Sequence, residues 1–257
     1  MREKTKRSAA RTALVVGAAV VVVCAFVSMA QAGKGNQDNS GVLPPGANAF
    51  GMSYGEWAAE WEKWAFSVSP ASNPVGDPTG EFAAEGQSGN VWFLAGTWGD
   101  SGPGGLTRTV EIPSGKALFF PIINQGWTTL PGDVPPGEDP DEWFAENEGW
   151  IRELLAWIMD EVADLSCEID GVPVQNIEQY RVFSPVFDVY LPEDNLWDTW
   201  GIELPEGIYG PCLDTGYYLL APPLSVGEHT ISFHAVSLFW GNTQDVTYEI
   251  TVTPGSK

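Results

Sequence analysis

Histidine is nearly missing from this chain of 257 residues, occurring only twice, and that scarcity narrows the chemistry open to it. A hydrolase needs a nucleophile, or an activated water, with a partner base. His229 and His234 stand five apart on one alternating segment, so they point to opposite sides and cannot jointly hold a metal. No G-x-S-x-G elbow, H-E-x-x-H pair or P-loop occurs. Catalytic residues stay unassigned, and no metal or cofactor is expected. Basic residues are also few, 12 against 34 acids, for a net charge of −22. Such a surface repels phosphate backbones, which excludes nucleic acid as a partner. The acids themselves fit adaptation to salt that screens self-repulsion, calcium coordination or plain solubility. The spaced acids and glycine of an EF-hand loop are absent. The acid-rich stretch 133–142 contains three prolines and reads as the lead-in to a helix.

Long apolar runs occur once, over residues 12–29, behind Arg2, Lys4, Lys6, Arg7 and Arg11 and ahead of Ala30-Gln31-Ala32. A basic region, an apolar run and an A-x-A site in that order predict a secretory signal peptide over 1–32, removed so that the working protein begins near Gly33. The competing reading is an uncleaved anchor, because 13–30 is 18 residues long, at the short end of what spans a bilayer. The spaced small residues favour cleavage, and Cys24 would leave with the leader. No later run approaches that length, so no membrane span is expected after cleavage, and the protein is expected to be secreted, either extracellular or periplasmic. Five of the 12 basic residues and one of the 34 acids stand in the leader, which leaves 7 against 33 and a net charge of −26.

Cysteine is scarce as well. Behind the leader only Cys167 and Cys212 remain, and an even pair in an exported chain is expected to form a disulfide. The bridge would close a loop of about 46 residues, worth roughly 4 kcal/mol on the chain-entropy argument. Neither cysteine has a Cys or His neighbour at metal-ligand spacing.

The rest of the chain offers periodicity. Residues 33–52 are polar and rich in Gly, Asn and Pro, a flexible lead-in. Over 53–68, Tyr54, Trp57, Trp61, Trp64 and Ala65 recur at threes and fours, with Ser53 and Glu56 set as a reciprocal cap and Pro70 beyond the end; a helix is predicted there. A second helix is predicted over 140–165, opened by Asp139-Pro140 and striped by Ile151, Leu155, Ile158, Val162 and Leu165, with Gly149 a candidate break. Short apolar runs at 91–95, 106–112 and 117–123 read as strands. From Cys167 onward the period is two. Asp170-Gly171 marks a tight hairpin, with Pro173 implying an edge, and further strands read at 180–183, 186–191 and 216–221. Residues 228–236 and 244–253 alternate cleanly. About nine strands predict a mainly β fold in one domain over 53–257, an antiparallel β-sandwich, Ig-like or jelly-roll-like, with one or two packed helices.

Four stretches resemble a group of uncharacterised secreted bacterial proteins: YGEWAAEWEKWA (54–65), GQSGNVWFLAG (86–96), SGKALFFPIIN (114–124), and GEHTISF with DVTYEITV (227–233 and 245–252). The resemblance implies export and a β-rich fold, and it brings no catalytic residues. Relatives often carry cysteines near the positions of 82–84 and 109–110, where this chain has none.

Candidate sites come from two residue types. Carboxylate pairs suit glycoside hydrolysis, and Glu56 with Glu60, or Glu81 with Glu85, are the pairs the spacing offers; the plainer reading leaves them as solvated acids, with Glu60 next to Lys63. Tryptophan is abundant, at 12 residues. Trp98, Trp127, Trp197, Trp200 and Trp240 stand in polar, Gly-rich or Pro-rich stretches, where an indole offers a flat apolar face for a sugar ring or a partner protein. The alternative is that they fill space between sheet and helices, as Trp57, Trp61 and Trp64 do. Arg108, Lys116 and Arg181 are expected to pair with nearby acids. The reading is a non-enzymatic secreted or surface protein that binds glycan or protein through loop tryptophans. The alternatives are a secreted glycan hydrolase using two carboxylates, or a structural component of an envelope or extracellular assembly with exposed sheet edges.

Overall fold

The computed structural model describes residues 41–255; the leader, Cys24 and the first part of the lead-in lie outside the described residues. The first element, α1 (Tyr54–Ser67), starts at Ser53, whose hydroxyl accepts from the Glu56 amide while the Glu56 carboxylate accepts from the Ser53 amide at 2.7 Å. Its aromatic stripe is buried at Tyr54, Trp61 and Trp64 and half-buried at Trp57.

Among the described residues, ten strands form two five-stranded sheets packed as a β-sandwich. One sheet runs β1 (Val91–Phe93), β3 (Ala117–Thr128), β8 (Gly207–Ala221), β6 (Arg181–Phe183), with β7 (Phe187–Leu191) also paired to β8. The other runs β2 (Leu106–Pro113), β10 (Asn242–Thr253), β9 (Gly227–Ser237), β4 (Val162–Ile169), β5 (Val172–Pro173). The sheets meet through pairs such as Phe120 on Phe233, with ring centroids 5.4 Å apart. On its other face the first sheet carries α1, where Tyr54 meets Phe119 at 6.0 Å and Trp61 meets Tyr218 at 6.5 Å. A sheet covered on both sides is apolar throughout; hence ALFFPII is buried at every position. β9 and β10 face solvent on one side and alternate. The sheets are mixed rather than wholly antiparallel: β1 pairs with β3 and β2 with β10 in parallel.

The second helix, α2 (Pro140–Asp160), is capped by Asp139, which accepts from the Asp141 and Glu142 amides, and it runs through Gly149 unbroken. It ends five residues earlier than its period predicts. Val162 and Leu165 belong to β4, because residues 162–169 pair with β9. Asp160, unfavourable against the helix dipole, accepts from Arg181 at 2.5 Å, and the same guanidinium donates to the Ala156 carbonyl at 2.6 Å. A cation from β6 therefore closes the helix end. The predicted hairpin is present: Asp170 and Gly171 have φ of 52° and 72°, the left-handed pair of a type I′ turn, and β5 is the sheet edge.

The expected disulfide is not formed. Cys167 and Cys212 are both buried free thiols. Cys167 sits in β4 opposite Phe233, in the core between the sheets. Cys212 sits in β8 among Ala59 and Phe66 of α1 and Phe187, Val189 and Leu191 of β7, on the far side of the first sheet. Burial pushes both thiols up to about 12, so they remain protonated and unreactive.

Candidate binding cleft

At one end of the sandwich, β3 continues past its apolar run into Asn124, Gln125, Gly126 and Trp127, which pair with β8 along one wall of a cleft of about 580 Å³. All five tryptophans singled out from the sequence line this cleft: Trp98, Trp127, Trp197, Trp200 and Trp240. They arrive from four separate segments. Trp98 lies in the loop after β1, held by Gln244 of β10, whose amide nitrogen donates to the Thr97 and Gly99 carbonyls at 2.8 and 2.9 Å and whose oxygen accepts from the Thr97 amide. Trp197 and Trp200 ride on a 3-10 helix, Leu196–Trp200, anchored by fully buried Asn195, which donates to the Pro192 and Leu204 carbonyls and accepts from the Trp197 amide. Trp240, in the turn between β9 and β10, donates to Gln125 Oε1 at 2.7 Å. Trp127 packs against Trp143 and Trp150 of α2.

The rings fall into two groups. In one, Trp98 and Trp200 lie 4.5 Å apart, Trp197 and Trp200 5.1 Å, and Phe66 touches both Trp98 and Trp197. Trp127, packed on α2, and Trp240, bonded to Gln125, stand apart from it. Trp200 and Trp240 are 46% and 58% exposed, and the buried Trp61 also lines the cleft.

Among the lining residues is one acid that the spacing did not single out, Glu62, with a second, Asp214, behind it. Glu62 of α1 is 6% exposed and Asp214 of β8 fully buried. The two carboxyls are hydrogen-bonded to each other, and Asn124 Nδ2 donates to both, at 2.7 Å to Glu62 Oε1 and 3.1 Å to Asp214 Oδ1. Tyr218 donates to Asp214 Oδ2 at 2.7 Å. Burial, then the neighbouring Asp214, holds Glu62 protonated well above the usual carboxylate range. Burial raises Asp214 to about 7 and, with Asp214 beside it, pushes the Tyr218 hydroxyl up as well. Two carboxyls this close share protons as a unit. Gly216 lets the chain come this near: a Cβ there would lie 2.5 Å from the Asn124 Cβ. Glu62 lines the cleft and Asp214 supports it from behind.

The acid pairs offered by the sequence have other roles. Glu56 caps α1, Glu60 bonds Lys63 at 2.8 Å, and Glu81 and Glu85 are exposed. Arg108 differs from expectation. It is fully buried and, instead of a salt bridge, donates to the carbonyls of Asp77 (2.7 Å), Ala95 (2.6 Å), Gly96 (2.9 Å) and Val75 (3.4 Å) and to the Tyr248 hydroxyl (2.9 Å). Since Val75 and Gly96 line the cleft, Arg108 fixes part of its wall. Lys116 bonds the Gly89 carbonyl, and Arg181 pairs with Asp160 as expected.

His229 stands between Asp170 (Nδ1 to Oδ2, 2.7 Å) and Ser225, in the order of a hydrolase triad. Its Nε2, however, is 2.9 Å from the Ser225 carbonyl and 3.3 Å from the hydroxyl. Burial acts to lower the His229 pKa, and the bonds to Asp170 and Ser225 outweigh it, so the net shift is upward. An imidazolium donating from both nitrogens ties the loop to the hairpin and has no lone pair left for a hydroxyl proton. His234 lies on the opposite face, 3.9 Å from Asp245. Among the described residues, no group of His, Cys, Asp and Glu could hold a metal, and no helix is long and apolar enough to cross a membrane.

No family model matches the chain, and no curated protein matches it significantly. Among solved structures, amebosin in solution aligns with 58% of this chain and 95% of its own, at 13% identity and a TM-score of 0.16. That score is too low to bear on fold or function.

Proposed function

We propose that this is an exported, non-enzymatic binding protein that holds a glycan against the tryptophans of the cleft. The observation that carries the reading is the convergence of five indoles from four segments on one cavity, with hydrogen-bonding side chains (Asn124, Gln125, Asn242, Gln244) between them. Flat apolar faces edged with amides match the alternating C–H and hydroxyl surfaces of a pyranose. Hydrolysis fits less well, because the two-carboxylate mechanism places its acids roughly 5 to 9 Å apart across the bond to be cut. Here the buried pair is hydrogen-bonded to itself, and Asp214 stands behind Glu62. Titration of oligosaccharides against tryptophan fluorescence tests the proposal: saturable binding without new reducing ends is expected, weakened at least about tenfold by Trp200→Ala. Turnover of any oligosaccharide would end the non-enzymatic reading. For export, the intact mass of material recovered outside the cytoplasm should lack the first 32 residues.

A further inference from the structure

We infer that the cleft selects glycans bearing a free amino group, of the glucosamine type, with Glu62, backed by Asp214, as the counter-ion for the ammonium. This rests on the glycan reading above. Among the described residues lining the cleft, Glu62 is the one ionisable side chain; no Lys, Arg or His stands with it. A glycan carboxylate, sulfate or phosphate would therefore meet a buried acid with no cation to offset it, inside a chain of net charge −22. That field repels anions and draws cations. Trp98, Trp197 and Trp200 are in ring contact at 4.5–5.1 Å, which leaves no gap for an ammonium to sit boxed among these three. The rings would hold the sugar faces and the carboxyl the charge.

The proton balance follows from what faces Glu62. Asp214 and Tyr218 approach from β8, Asn124 from β3, and the Cys212 thiol lies within electrostatic reach. From α2 the cleft receives only Ile158 and Met159, and from β9, β10 and their turn Ser237, Trp240, Asn242 and Gln244. Without ligand the acid pair keeps its protons. An ammonium arriving at Glu62 favours the ionised carboxylate, so over the acidic range in which the amine itself stays charged, about pH 4.5 to 6, binding releases a proton to solvent and affinity for the amine rises with pH. Acetylation of the amine removes both effects.

The test compares glucosamine hexamer with N-acetylglucosamine hexamer on the wild-type protein. Calorimetry at about pH 4.5 and pH 6, where the amine stays charged, in two buffers of different ionisation enthalpy, reads proton release directly and needs no variant. Release of one proton ties affinity to pH by up to a factor of ten for each pH unit crossed. Binding of the amine form at least about tenfold tighter at pH 6 than at pH 4.5, with proton release confined to that form, supports the inference. Glu62→Gln should erase the preference. Equal binding of both forms without proton release overturns the inference and leaves the glycan reading standing. If neither hexamer binds, nor any neutral oligosaccharide, both fall.

Discussion

Asp214 is the residue at which stability and pH should be most tightly linked. Its carboxyl is fully buried, and burial lifts it from 3.8 to about 7. A carboxyl whose folded pKa is raised contributes stability that is whole below its unfolded pKa and is lost as pH rises through the folded value. Between about pH 4 and pH 7 the unfolded chain ionises this group and the folded chain does not. Three pH units at 1.36 kcal/mol each give a loss on the order of 4 kcal/mol. Glu62, raised for the same reason, works in the same direction. Asp214→Asn removes the titration while keeping the shape: the amide oxygen still accepts from Tyr218, and the amide nitrogen donates toward Glu62. The rearranged contact with Asn124 lowers stability by a similar amount at every pH, so the informative quantity is the slope. Urea unfolding followed by tryptophan emission at half-unit steps from pH 4 to 8 should show the variant gaining on the wild type by about 4 kcal/mol across the range, with most of the change below pH 7. Parallel curves for the two proteins would mean that Asp214 titrates normally in the folded state, and the shared protons of the acid pair would have to be given up.

Arg108→Met should lower stability by about 3 kcal/mol or more, because the Val75, Asp77, Ala95 and Gly96 carbonyls lose their buried donor. For a domain of this size that is a fall in Tm of roughly 6–12 °C; a fall below about 2 °C would show that water replaces the guanidinium. The cysteines should remain thiols. Alkylation in denaturant without reductant should label both Cys167 and Cys212, native protein should label slowly, and reductant should leave Tm unchanged. Label that enters only after reduction would restore the disulfide.

Much of the architecture was legible from period and punctuation. The Ser53–Glu56 box, the Asp139-Pro140 opening, the Asp170-Gly171 turn and the alternation of β9 and β10 are local signals, and each meets its partner within a few residues or along one solvent-facing strand. The misreadings arose where a distant partner decided the outcome. The periodic run through Val162 and Leu165 continues the helix on paper, and pairing with β9 takes those residues into β4. β3 and β8 extend past their apolar runs because each supplies the other's hydrogen bonds, even where the side chains turn polar to line the cleft. An even cysteine count and an oxidising compartment recommend a Cys167–Cys212 bridge, yet the first sheet stands between the two thiols.

The sequence by itself therefore determined most of the elements, the sandwich class and the candidate tryptophans, since strand alternation, caps and the company of Gly and Pro around an indole are properties of neighbours along the chain. Only the tertiary structure decided that those five tryptophans share one cavity and that Glu62 and Asp214, 152 positions apart in the sequence, sit against each other beside it. A carboxyl's burial and its partners are set by what packs around it, and among this many acids no local pattern marks the two that the fold withdraws from water.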